Sequence, residues 1–121
     1  MNAENAMIHL RDAGVDVDGS LERMMNKPDF YLRMLGKFQQ DTNFATLRAQ
    51  MAAGEQQKAG EAAHALKGLC ASLGMTALSE RCAELQYICL GQKPGDPAPV
   101  FAEAEVLYAG IMETLATVLE N

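Results

Sequence analysis

Apolar residues recur along this chain at helical rather than strand spacing. Ala, Leu, Met, Glu, Gln and Lys dominate, whereas the alternating apolar and polar runs typical of half-buried strands are nearly absent. The pattern therefore predicts an all-α protein. Two short helices are expected first: one covers Ala3–Asp12 and ends at Gly14, and the other is capped by Asp18 and contains Leu21, Met24 and Met25.

Four longer amphipathic helices are predicted to follow, over 28–53, about 55–73, 76–90 and 97–120. Pro28 is expected to open the first of them, Thr76 and Asp96 to cap the third and the fourth, and Gly54, Gly74 and Gly91 to end the first three. The positions expected to face the core are Tyr31, Leu35, Phe38, Thr42, Ala45 and Ala49, then Ala59, Ala62, Leu66, Leu69 and Leu73, then Leu78, Cys82, Leu85 and Cys89, and finally Val100, Ala104, Leu107, Ile111 and Val118.

The connections between these helices are short, and only residues 91–99, with three of the four prolines, form a clear loop. Short connections predict an antiparallel up-down four-helix bundle. The bundle is expected over 28–120, with the short N-terminal helices of 3–26 capping one end. Residues 1–121 are expected to form one domain.

Composition narrows the possible partners and the compartment. Sixteen acidic against ten basic residues give a net charge of −6, and no Lys/Arg run is present, so nucleic acid is not an expected partner. The apolar stretches are shorter than the roughly 20 residues of a membrane span, and no export signal is recognised. Three cysteines without a C-x-x-C pair are expected to be reduced core thiols. The prediction is a cytoplasmic protein without membrane contact.

The second long helix carries an unusual face. At about 100° per residue, Gly60, His64, Lys67, Gly68 and Ala71 project opposite the predicted core positions. Exposed faces normally carry long polar residues, and each glycine costs about 1 kcal/mol of helix stability relative to alanine. Folding alone does not explain these small residues around a histidine. They would leave the imidazole open to the backbone and catalytic groups of another protein.

A lysine accompanies this histidine. Lys67 lies three residues after His64, where its ammonium could meet negative charge on the ring. His64 is in mid-helix, where the backbone N–H groups are already used, so no helix N-terminus can hold an anion there. The pair therefore suits a phosphoryl group carried on histidine. Taken singly, an ordinary histidine and a solvated lysine are the alternatives.

These residues resemble the core motif of the histidine phosphotransfer (HPt) family. The family pattern Ala-His-x-Leu-Lys-Gly, with a glycine six residues later, is matched by residues 63–68 (AHALKG) and by Gly74. The similarity extends over residues 17–38 and through Leu78, Cys82 and Leu85, about 100 of the 121 residues. The resemblance implies a phosphorelay protein of two-component signalling, with response-regulator receiver domains and a hybrid sensor histidine kinase as partners.

The resemblance also assigns roles to individual residues. It implies that His64 is phosphorylated, that Lys67 interacts with the phosphoryl group and that Gly68 gives the partner room to dock. Gln86 is a further candidate, because family members commonly place a polar side chain of the following helix against the active imidazole. A solvated glutamine is the alternative for Gln86.

The sequence departs from the family directly after the histidine and after the glycine. Family members often have a hydroxyl residue or arginine directly after the histidine, where this chain has Ala65. They often have small residues after the glycine, where this chain has Leu69 and Cys70. No assistance by a hydroxyl group is therefore expected from these positions. Nε2 of His64 is predicted to attack phosphorus, while the other ring nitrogen is held by a hydrogen bond. Mg²⁺ and a lysine on the partner receiver would neutralise charge. The chain itself is expected to bind no cofactor, to lack autonomous kinase activity and to be a monomer.

Docking of the partner is predicted on two groups of residues. Gly60, Gly68 and Ala71 would leave space around the imidazole. The second short helix would add adaptable apolar contacts, because methionine side chains repack easily, although such residues are more often part of a core. Its candidates are Leu21, Met24 and Met25.

Two rival functions stay open. A non-phosphorylated adaptor would bind receiver or kinase domains through the same glycine-lined face. A metal-binding bundle would use His64 with acidic or cysteine ligands, although Glu61, three residues earlier, has no matching second set. His9 is expected to be an ordinary surface or packing residue.

Overall fold

The structure, a computed structural model, describes residues 1–119. Within that range it has seven helices, which are α1 (Ala3–Asp12), α2 (Val17–Arg23), α3 (Pro28–Gln40), α4 (Asn43–Ala52), α5 (Gln56–Ser72), α6 (Thr76–Cys89) and α7 (Pro97–Val118). The all-α prediction is confirmed. Residue 120, the predicted end of the last helix, lies outside the described residues.

The cap of α2 differs from the prediction. Asp16 precedes the helix, and its side chain accepts a hydrogen bond from the Gly19 N–H at 3.1 Å. Asp18 already belongs to the first helical turn, so its side chain is not the N-cap. The helix also ends earlier than expected, at Arg23, because Met25 has a left-handed backbone with φ of 59°.

The first long helix is divided in two, contrary to the prediction of one helix over 28–53. Asp41 has an extended ψ of 140°, and its carboxylate accepts the Asn43 N–H at 2.7 Å, so the short polar side chain competes with helix hydrogen bonding. The break resets the register of the buried face. Tyr31, Leu35 and Phe38 are buried as predicted, but Phe44 and Leu47 continue the core while Thr42, Ala45 and Ala49 are exposed.

The three remaining long helices lie within one or two residues of their predicted bounds. The Asp96 side chain caps α7 by accepting the Ala98 N–H at 3.0 Å, as predicted. Thr76 is the first residue of α6 rather than its cap, because Met75 occupies the cap position. Leu78, Cys82, Leu85 and Cys89 are all buried, as their spacing indicated.

Packing builds a bundle around α5. This helix packs against both α4 and α6, α6 packs against α7, and α7 contacts α3 and α1. An aromatic stack joins α4 to α7, with the Phe44 and Tyr108 ring centroids 3.9 Å apart and nearly parallel. None of the helices in residues 1–119 is long and apolar enough to cross a membrane.

The C-terminal end of α5 is fixed by the N-terminal part of the chain. The Tyr31 hydroxyl donates to the Leu73 carbonyl at 2.7 Å, and the Asp16 N–H donates to the Gly74 carbonyl at 2.9 Å. Gly74 has φ of 82°, and a Cβ at this position would overlap the Asp16 carbonyl oxygen. Glycine is therefore required here both by the backbone and by its neighbour.

Candidate functional site

The site is the outer face of α5. One side of the helix is buried through Ala59, Ala62, Ala63, Leu66 and Cys70. His64, Gly68 and Ala71 are exposed, as the helical projection predicted. A Cβ added at Gly68 would have no neighbour within 4 Å, so the space beside His64 is open to a partner.

Gln86 of α6 holds the imidazole of His64. Its amide oxygen lies 3.1 Å from Nδ1 of His64, and the residue is only 9% exposed. The amide oxygen accepts a hydrogen bond when Nδ1 carries the proton. That tautomer leaves Nε2 unprotonated, which is the state that a nucleophilic nitrogen requires.

Lys67 is half-buried one turn after His64. Its carbonyl accepts a hydrogen bond from the buried Ser79 hydroxyl at 2.9 Å, and its ammonium lies 5.8 Å from the Tyr87 ring centroid. The sequence reasoning did not identify Ser79 or Tyr87. Both were detectable in principle, since Ser79 lies two helical turns before Gln86 on the same side of α6 and Tyr87 is its neighbour.

Gly60 does not belong to the docking surface, and this part of the prediction is wrong. Gly60 is buried, and a Cβ there would lie 2.6 Å from Cδ2 of Leu90 and 3.2 Å from Cβ of Cys89. Gly60 and Lys67 project from nearly the same angle of α5, and both face α6. Gly60 therefore permits close approach of two helices instead of access by a partner.

The predicted docking residues of the N-terminal part are only partly accessible. Leu21 and Met24 are half-buried against the core, whereas Met25 is 76% exposed. Met24 lines a shallow groove with Leu69 and Ser72, about two turns beyond His64 along α5. Met24 therefore flanks the C-terminal part of α5.

The thiols lie behind the site, in the core. Cys70, Cys82 and Cys89 are free and buried, as predicted. A hydrogen bond with Cys82 and burial raise the pKa of the Cys70 thiol, and burial raises the pKa of the Cys89 thiol. A raised pKa keeps the Cys70 and Cys89 thiols protonated, and a protonated thiol is a poor nucleophile and a poor metal ligand. Among residues 1–119, no group of three or more His, Cys, Asp or Glu side chains is placed to hold a metal ion.

Fold and site together define a helical bundle that presents one oriented, exposed histidine. The sequence model of the Hpt domain family matches residues 33–121, most of the chain, so the protein belongs to the Hpt domain family. Hpt domains are phosphocarriers of two-component signalling rather than catalysts, and they interact with receiver domains and kinases. No curated protein and no solved structure matches the chain significantly.

Proposed function

We propose that this protein relays a phosphoryl group between His64 and the aspartate of response-regulator receiver domains. The observation that carries the proposal is the contact of Gln86 with Nδ1, on an otherwise exposed ring. Nδ1 is occupied by the hydrogen bond, so Nε2 is the nitrogen available to a partner. A hybrid sensor histidine kinase is the proposed source of the phosphoryl group.

The proposed transfer requires little catalytic apparatus on this chain. The Nε2 lone pair attacks phosphorus of the receiver's phosphoaspartate, the P–O bond to the aspartate breaks, and the carboxylate leaves. The phosphorylated ring retains its Nδ1 proton and gains positive charge, which the Gln86 amide oxygen stabilises. Mg²⁺ and a lysine of the partner would neutralise charge on the transferring group. Lys67 is the proposed cation from this chain, and Gly68 and Ala71 leave room for the partner.

Phosphoryl transfer is tested directly with labelled receiver domains. Each phosphorylated receiver of a panel is incubated with the wild-type protein, and acid-labile label on the protein is measured. The chain has two histidines, so His9→Ala, on the exposed part of α1, is a matched control for His64→Ala. We expect label on the wild type and on His9→Ala, and none on His64→Ala.

The rival adaptor function gives a different result in the same experiment. An adaptor would bind a receiver, as measured by calorimetry, but would carry no label.

Gln86→Leu tests the proposed role of the amide in phosphoryl transfer. Loss of a hydrogen bond to a charged ring should cost about 1.5–3 kcal/mol of transition-state stabilisation. Unchanged transfer by Gln86→Leu would contradict the proposed role of the amide.

A further inference from the structure

Two adjacent residues of α6 contact the two side chains of α5 on which the proposed function depends, His64 and Lys67. Gln86 is buried and contacts the His64 ring, whereas Tyr87 is 41% exposed and lies beneath the Lys67 ammonium. The distance from Lys67 Nζ to the Tyr87 ring centroid is 5.8 Å, within the range of a cation–π contact. The same turn of α6 therefore supports both the imidazole and the cation.

The aromatic ring holds the ammonium without neutralising it. The ion pairs found within residues 1–119 do not include Lys67. Glu84, one turn before Tyr87 on α6, instead pairs with Lys93 at 2.6 Å. A carboxylate partner would compete with a phosphoryl group for the ammonium and would repel the phosphoryl charge. A neutral ring does neither.

The strengths of the two interactions allow an exchange of partners. A cation–π contact at a partly exposed position is weaker than a charge-assisted hydrogen bond to phosphoryl oxygen. The ammonium can therefore leave the ring when the phosphoryl group arrives. Until then, the contact restricts a long flexible side chain that would otherwise sample many rotamers in solvent.

We propose that Tyr87 is a positioning residue that holds the Lys67 ammonium ready beside His64. This inference rests on the proposed phosphoryl transfer at His64. Tyr87 acts through Lys67 and not on the phosphoryl group itself. Its effect therefore belongs to the transfer step and depends on the presence of Lys67.

The experiment compares transfer from a phosphorylated receiver at saturating concentration in the wild type, Tyr87→Leu and Tyr87→Phe. Tyr87→Leu removes the aromatic face, and we expect the maximal transfer rate to fall about two- to five-fold, as the strength of an exposed cation–π contact implies. Tyr87→Phe keeps the face and should restore most of the rate. Phe30→Leu is a matched control, because Phe30 is 39% exposed and its ring contacts Arg33 at 6.0 Å on α3.

A double-mutant cycle separates positioning from docking. In a Lys67→Met background, Tyr87→Leu should have no further effect on the maximal rate. A rise in the half-saturating receiver concentration at unchanged maximal rate would show a docking contact and overturn the inference. So would a wild-type rate in Tyr87→Leu, or an equal loss with and without Lys67. A wild-type protein that takes no label from any receiver would instead refute the proposed function, and the inference with it.

Discussion

Alanine substitutions at three helical glycines separate the packing role of glycine from its role at the open face. Gly60, Gly68 and Gly110 all lie inside helices, so each alanine should gain about 1 kcal/mol of helix propensity. Their surroundings differ. A Cβ at Gly60 would lie 2.6 Å from Leu90, whereas no atom lies within 4 Å of a Cβ at Gly68 or Gly110.

The free energy of unfolding is therefore expected to change in opposite directions at Gly60 and at the two open positions. Overpacking a close helix contact costs about 1–3 kcal/mol, which offsets or exceeds the propensity gain at Gly60. The Leu90 side chain can rotate partly away, but the Cys89 Cβ, at 3.2 Å, is fixed to the backbone. We expect Gly60→Ala to lower the free energy of unfolding by about 0–2 kcal/mol. Gly68→Ala and Gly110→Ala should raise it by about 1 kcal/mol.

Urea denaturation monitored by circular dichroism measures these differences, and phosphoryl transfer from a receiver domain gives the functional comparison. Gly68→Ala should be more stable than the wild type yet transfer several-fold more slowly, because its methyl group enters the space proposed for the partner. Gly110→Ala should gain stability and keep its transfer rate. The packing argument fails if Gly60→Ala is stabilised as much as Gly110→Ala, and the access argument fails if Gly68→Ala transfers at the wild-type rate.

Three further substitutions test the core and the end of α5. Burial raises the pKa of Tyr31 above 10.0, so the unfolded chain loses the proton first and stability should fall above about pH 10. Tyr31→Phe loses the hydrogen bond to Leu73, about 1 kcal/mol at neutral pH, but should show a smaller alkaline fall in urea titrations; an equal fall would contradict this. Gly74→Ala should lose about 2–4 kcal/mol through its left-handed backbone and overlap with Asp16, and a stable variant would refute the assignment. Phe44→Ala should lose about 3–5 kcal/mol in the same assay, and a loss below 1 kcal/mol would show that the aromatic stack is not a core contact.

Much of the fold follows from local signals in the sequence. Glycines mark the ends of α5 and α6, and a proline preceded by a capping aspartate marks the start of α7. Helical spacing identified the buried side of each of these helices. The break at Asp41 was not predicted, because the apolar spacing before it continues plausibly through Thr42. The Asp41 side chain competes with the helix for the Asn43 N–H, and the resulting turn is accompanied by burial of Phe44 and Leu47.

In the site too, some features follow from the sequence and others from the tertiary structure. The periodicity of α5 alone determined that His64, Gly68 and Ala71 point away from the core, since a helix turns by a fixed angle per residue. Only the tertiary structure decided that α6 covers the flank carrying Gly60. It also decided that Gln86 reaches the imidazole and that Tyr87 lies under the lysine. These contacts depend on where a second helix is placed around the first, and that placement is set by packing of the whole bundle rather than by the period of either helix.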